Sequence, residues 1–256
     1  MNCLSVEDLY YKNLKEVNME FKEGNLYFVS GANNCGKTTL SRILTGLIEV
    51  ENAIFYNNKD IYDMSSLTLS RKIKLLSSED RLVSDLDIAT FLNKKQTKIS
   101  DDDKYKTEMK KIINDFDIDL KKNISEIGTT EKIKVLLISK LLSKPSVLVL
   151  DDIFIYFDYK QAIEILLKLK KIKDLIVVVF SSMLQLSIVS DYLYIIDKGT
   201  VSVEGKTLEV LTKDSYLNKI GLELPFMADL SLKLKYYDLI DHIEPDMDRM
   251  IDILWK

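Results

Sequence analysis

The chain reads as an α/β protein built on a mostly parallel core sheet, and three stretches predict it. The segment Gly31-Ala32-Asn33-Asn34-Cys35-Gly36-Lys37-Thr38 matches G-x-x-x-x-G-K-[ST], follows the apolar run 26–29 and opens an amphipathic helix over 39–44. A second apolar run, 147–150, ends on the acid pair Asp151-Asp152, and a third occupies 175–180. Unbroken Val, Ile and Leu runs joined by helical stretches belong to parallel strands covered on both faces. At 256 residues, one such domain with an inserted and an appended subdomain fits better than two independent domains.

Taken in order, Ser5–Tyr11 and Lys15–Phe21 read as strands of an antiparallel β subdomain, and Gly24-Asn25 as the turn into the phosphate-loop strand. After the loop helix, 52–56 and 72–77 read as strands, with Asn57-Asn58-Lys59-Asp60 as the turn that ends the first. The segment 85–130 changes character. It is rich in Lys and Asp and carries one helical stripe, Met109, Ile112, Ile113 and Phe116, which predicts a small inserted helical subdomain. A helix over 131–142 stops before Lys144-Pro145, another spans 159–171, and Tyr192–Asp197 with Thr200–Val203 forms a hairpin about Lys198-Gly199. Residues 206–256 are mostly helical in pattern. The expected division is therefore a core of 1–84 and 131–212, an insert of 85–130 and a C-terminal extension of 213–256.

Composition narrows the classes. Hydrophobic residues at 46% and charged residues at 30% describe an ordinary soluble globular chain, and a net charge of −4 gives no global attraction to nucleic acid or to an anionic membrane. No nucleic-acid partner is expected. Cys3 and Cys35 are the two cysteines, too few and too placed for a disulfide framework, which points to a reducing cytoplasm. The apolar runs are too short to span a bilayer, and the first residues lack a signal-peptide pattern. Work at a membrane is expected to go through a partner.

The phosphate loop carries the first chemistry. Successive backbone N–H groups and the positive end of the following helix point into one concavity, where a polyphosphate fits. The expected contacts come from Gly31, Asn33, Asn34, Cys35, Gly36, Lys37, Thr38 and Thr39, with Lys37 on the β- and γ-phosphates and the Thr38 hydroxyl on Mg2+. Asn34 stands where many such loops carry a second glycine, and Asn tolerates a positive φ best after Gly. Cys35 reads as a small residue that fits the loop, or as a thiol whose pKa the helix end lowers. Asp151 at the end of its strand is the expected Mg2+ ligand, and Asp152 the group that polarises the attacking water.

These features together resemble the ATPase subunits of ABC transporters over nearly the whole length, and most of all the ATPases of energy-coupling factor (ECF) importers. The tail carries the second likeness: Ile220–Met227, Leu230–Lys235 and the terminal Asp246–Lys256 are similar to the C-terminal helices that pack two ECF ATPases together. The resemblance implies ATP and Mg2+ as cofactors, a second ATPase subunit of the same or a different chain, and a transmembrane coupling protein seated near Asp80–Phe91. It implies a cytoplasmic protein held peripherally at the inner face of the membrane. It also calls for an aromatic residue on adenine at the end of the first strand, where Tyr11 is preferred to Tyr10.

Other family motifs are eroded. The signature L-S-G-G-Q falls on Ile127-Gly128-Thr129-Thr130-Glu131, so its serine hydroxyl is missing, two glycines are threonines, and Glu131 brings a negative charge toward the opposite subunit's phosphate. Thr129 or Thr130 is left to cap the helix. The Q-loop glutamine falls on Ser78 beside Glu79, and the switch histidine on Ser182. Asp152 replaces the catalytic glutamate and retracts its carboxylate by about 1 Å, a misplacement that costs on the order of 10²-fold. Asp158 matches the D-loop aspartate, and the lone histidine, His242, lies in the tail as a structural residue. The implied function is an ATP-binding subunit of an ABC-type, ECF-like membrane transporter with weakened or absent hydrolysis. The alternative is a nucleotide-dependent regulator of the same fold without transport, and a P-loop kinase fits the order of motifs poorly.

Overall fold

A computed structural model describes residues 2–95 and 111–255. The chain opens with β1 (Cys3–Tyr11) and β2 (Leu14–Lys22), and β3 (Leu26–Gly31) runs into the phosphate loop and α1 (Lys37–Leu44). β4 (Ile54–Tyr56) and β5 (Lys59–Asp60) form a hairpin whose two turn residues, Asn57 and Asn58, have φ of 52° and 61°. The sequence reading took all four residues 57–60 as turn. Two left-handed asparagines suffice, because their twist matches that of the strands, and Lys59 is freed to pair with Tyr56. α2 (Ser66–Lys72) was not foreseen. Ser65 caps it by accepting from Thr68 N, none of its residues is buried, and it delays the expected strand to β6 (Ile73–Ser77).

α3 (Ile88–Lys95) and a helical stretch at 111–115 form the insert, where Phe116 is buried and Ile112 and Ile113 pack on the core. Met109 of the expected stripe lies outside the described residues. α4 (Thr129–Leu141) then leads to β7 (Val147–Asp151), and α5 (Tyr159–Lys170) to β8 (Ile176–Phe180). β9 (Tyr192–Asp197) and β10 (Thr200–Lys206) pair as the expected hairpin. The tail is helical in four pieces, α6 (Thr207–Leu211), α7 (Asp214–Lys219), α8 (Phe226–Tyr236) and α9 (Met247–Leu254).

Two sheets result: an antiparallel one in the order β2-β1-β4-β5, and a six-stranded one in the order β10-β9-β3-β8-β7-β6. All neighbours in the second are parallel except β9 and β10. The unbroken apolar runs are explained by alternation across two covered faces. Leu26, Phe28, Leu148, Leu150, Val177 and Val179 join the core under α4, α5, the insert and the tail. Their neighbours Tyr27, Val29, Val147, Val149, Ile176 and Val178 join the core under α1 and the antiparallel sheet. Each fully buried aliphatic side chain contributes roughly 1.5–3 kcal/mol, so both layers are held by the same strands.

Register also sets the site. Val29 pairs with Phe180, and Phe180 with Asp151, so the loop that starts two residues past Val29 and the carboxylate that ends β7 emerge from one edge of the sheet. That edge is where open parallel sheets leave a crevice.

Candidate nucleotide-binding site

The loop between β3 and α1 needs its two framing glycines for different reasons. A Cβ on Gly31 would lie 2.2 Å from the Ile196 carbonyl oxygen, so the strand below leaves no room. Gly36 has φ 110° and caps α1 in a conformation that side chains strain to adopt. Asn34 takes φ 63°, the left-handed conformation its residue type tolerates. Lys37 is folded under the loop, 6% exposed, and its Nζ donates to the carbonyls of Gly31 (2.8 Å) and Ala32 (3.0 Å). Cys35 is buried with its Sγ 3.8 Å from that amine, a small side chain filling the space inside the loop.

Across the loop sits Asp151, 3% exposed. Its Oδ1 accepts from the Thr38 hydroxyl at 3.5 Å and its Oδ2 from the Ser41 hydroxyl at 2.7 Å. Burial raises the Asp151 carboxyl above the ordinary aspartate range, the Ser41 hydrogen bond opposes this, and the charge of Asp152 adds to the rise. Asp152 itself has φ 51°, donates its N–H to the Phe180 carbonyl at 2.9 Å, and lines the cleft.

That cleft, about 680 Å3, is walled by Asn33, Asn34, Gly36, Lys37, Thr38 and Thr39 on the loop side and by Tyr11 with its neighbours Lys12, Asn13 and Leu14 on the other. Tyr11 lines it, whereas Tyr10 points away and is 61% exposed. The Lys12 amine lies 5.4 Å over the Tyr11 ring. Ser41 and Lys12 are the residues that sequence reasoning passed over. Ser41 was within reach, because Thr38 and Ser41 are three apart on one helix and share a face. The fit to a magnesium-bound triphosphate is therefore concrete: one hydroxyl and one carboxylate meet beside a buried lysine and a ring of loop amides, a hard oxygen set that leaves the remaining ligands to water and phosphate.

The residues on which the family's other motifs were expected to fall make contacts of their own. Gly128, not Thr129 or Thr130, is the N-cap of α4, and it supplies no side-chain cap. Thr130 already lies within the helix, where its hydroxyl donates to the Tyr156 carbonyl at 2.8 Å. Glu131 is paired with Lys122 at 3.1 Å, which offsets part of its charge. The Ser78 carbonyl accepts from Tyr156 Oη at 2.9 Å, and Glu79 pairs with Arg42 of α1 at 2.7 Å. Ser182 is exposed just after β8. Asp158 caps α5 by accepting from Gln161 N at 2.8 Å. His242 is a surface residue, its Nδ1 bonded at 2.6 Å to Asp241, which raises its pKa.

The ABC transporter family's sequence pattern matches residues 14–154, more than half of the chain and the whole stretch from the loop to the second acidic strand. The chain belongs to the ABC transporter family of ATPase domains. Members of this family bind ATP, usually with Mg2+, and generally hydrolyse it. A provisionally named ABC transporter ATP-binding protein of Clostridium acetobutylicum is 28% identical over 92% of this chain and 90% of its own length. The energy-coupling factor transporter ATP-binding protein EcfA1 of Staphylococcus aureus is 26% identical over 86% of this chain and 85% of its own. Among solved structures, CbiO1 of Clostridium perfringens, part of the ABC transporter complex CbiONQ, superposes with a TM-score of 0.73 at 21% identity, over 89% of this chain and 98% of that one. Among the described residues, no helix is long and apolar enough to cross a membrane.

Proposed function

We propose that this chain is the ATPase subunit of an ECF-like transporter that binds Mg2+-ATP tightly, closes on a second ATPase subunit and hydrolyses slowly or not at all. The observation that carries this reading is the union of an intact phosphate and metal constellation, Lys37, Thr38 and Asp151, with Asp152 and Ser182 where a glutamate and a histidine work in the family. In this reading Lys37 exchanges the carbonyls of Gly31 and Ala32 for phosphate oxygens, and the Tyr11 ring stacks on adenine. Thr38 and Asp151 hold Mg2+, which when bound neutralises charge on the phosphate oxygens.

The carboxylate of Asp152 accepts a hydrogen bond from the attacking water and orients it. Its shorter side chain holds that water about 1 Å from the position a glutamate would give, on the order of a 10²-fold loss. The Ser182 hydroxyl replaces an imidazole and leaves the water and γ-phosphate unbridged. The extension 213–256 supplies the surface for the second ATPase, and a membrane protein that docks near Asp80–Phe91 holds the chain at the bilayer.

The test is a pair of measurements on the purified chain. ATP binding by titration with and without Mg2+ is expected to be tight and metal-dependent, and single-turnover hydrolysis is expected to run at least 10²-fold below ordinary transporter ATPases. An absence of ATP affinity overturns the reading, as does fast hydrolysis by the isolated chain. Recovery from cells in the soluble fraction with no membrane partner favours a regulator of the same fold.

A further inference from the structure

One wall of the nucleotide cleft is the turn between β1 and β2, and its position is fixed from two sides. Tyr11 and Leu14 pair across the turn, and Lys12, at its tip, takes the left-handed φ of 52°. Leu14 packs so closely on the phosphate loop that a Cβ on Gly36 would lie 2.6 Å from its Cδ2. The other side is as tight. A Cβ on Gly199, in the turn between β9 and β10, would lie 1.7 Å from the Asn13 carbonyl oxygen, and the Lys15 N–H donates to the Gly199 carbonyl at 2.9 Å. Two glycines thus admit the turn and hold Tyr11 and Lys12 at a fixed distance from the loop.

Lys12 is not engaged in an ion pair there. Its side chain is exposed, no carboxylate pairs with it among the described residues, and its amine lies 5.4 Å over the Tyr11 ring. The ring face attracts the cation, but that ring is also the platform for a base. An amine at that distance, level with a base stacked about 3.5 Å above the ring, lies about 4 Å from the ring axis, at the rim of a purine. Among the described residues, Asp152 is the sole carboxylate lining the cleft, and it stands beside Asp151 at the metal end. The base end therefore offers one cation and the amide of Asn13, with no acid.

The two purines answer that cation differently. Guanine presents acceptors at both O6 and N7, whereas adenine presents N7 beside an N6 amine that donates. A lysine matches the first pair and meets an unmatched donor in the second. Asn13 carries both a donor and an acceptor and fits either edge. We infer that Lys12 reads the base: its amine donates to the O6 and N7 edge of a 6-oxopurine stacked on Tyr11, so that the cleft takes GTP at least as tightly as ATP. The inference rests on the nucleotide-binding reading of the cleft and adds the base that it selects. With no carboxylate at the base end to accept from guanine N1 and N2, the 2-amino group goes unread, and hypoxanthine serves as well as guanine.

Equilibrium titrations of the full chain with Mg2+ and ATP, GTP or ITP test it. GTP and ITP are expected to bind alike and at least as tightly as ATP. Lys12→Ala is expected to lower GTP and ITP affinity relative to ATP by roughly threefold to tenfold, less than a buried bidentate contact gives because the amine is exposed. Lys12→Arg keeps a donor at the base edge and should hold the ratio near that of the unaltered chain. The readout is a ratio taken on one sample, so a general loss of folded protein does not move it. Three results overturn the inference: ATP preferred to GTP by the unaltered chain, all three nucleotides weakened equally by Lys12→Ala, or ITP bound well below GTP. The second would put the amine on ribose or phosphate, and the third would demand an acid at the base. Failure to bind any of the three removes the nucleotide reading itself, whereas tight ATP binding with GTP excluded keeps that reading and removes the inference.

Discussion

Ser41 is a buried hydroxyl with one carboxylate partner, and its hydrogen bond is the largest influence opposing the rise in the Asp151 pKa. A hydrogen bond to a charged group is worth about 1.5–3 kcal/mol. Ser41→Ala is therefore expected to leave nucleotide binding without metal unchanged, to weaken Mg2+ binding in the presence of nucleotide by about tenfold, and to weaken it more at pH 6 than at pH 8. A metal titration at the two pH values checks this. Asp151 gives a second expectation, on stability. Because burial raises its carboxyl above the ordinary 3.8, the stability it contributes is complete below that value and is lost as pH rises through the raised one, so at neutral pH the buried charge is a standing cost. Asp151→Asn is expected to raise the nucleotide-free melting temperature near pH 7, with the gap closing toward pH 4, and a gap independent of pH would contradict it. Lys37, Thr38 and Asp151 were legible because their spacing encodes the chemistry. Ser41 was passed over although its spacing from Thr38 puts both on one face, since a serine in a helix reads as a mildly unfavourable residue until the strand beside it is known.

At the scale of elements, α4 begins on Gly128, at φ −73° and with open space around its missing Cβ. A serine there is free of clash and provides the absent cap. Gly128→Ser is expected to stabilise the chain by a few tenths of a kcal/mol, read by chemical denaturation. In the proposed ATPase pair it also returns the hydroxyl that the opposite phosphate lacks, so ATP-dependent association by light scattering should strengthen. Unchanged association would argue that this helix end does not meet nucleotide. The elements themselves were uneven in legibility. β3, β7 and β8 stood out because both faces of each are buried, which leaves no polar residue to break the run. α2 was hidden because it buries nothing and shows no apolar stripe, so the Ser65 cap was its only sign. The caps of α4 were misjudged by one residue, since Thr129 and Thr130 favour a cap by type while the chain enters the helix at Gly128.

At the scale of the molecule, the order β10-β9-β3-β8-β7-β6 places the phosphate-loop strand between two strands that lie more than 140 residues later, and no local pattern encodes such pairing. The tail shows a division of faces that its helical pattern alone leaves open. Leu217, Leu222, Ala228 and Met250 are buried, whereas Phe226, Met247, Ile251, Leu254 and Trp255 are exposed on the outside. The extension is thus built into the main core on one side and apolar on the other, which in the proposed assembly is the surface of the second ATPase. Ile251 is 46% and Leu254 39% exposed, so their further burial draws on somewhat under half of the roughly 1.5–3 kcal/mol each side chain carries. Together that is about 1–2.5 kcal/mol, and at 1.4 kcal/mol per tenfold the pair is worth about 5- to 60-fold in association. Ile251→Glu with Leu254→Glu, both on the outer face, is expected to leave the far-ultraviolet circular dichroism and ATP affinity intact while lowering ATPase–ATPase association by at least that factor in analytical ultracentrifugation. Association that survives both charges would move the contact off α9 and leave the apolar face of the tail to a different partner.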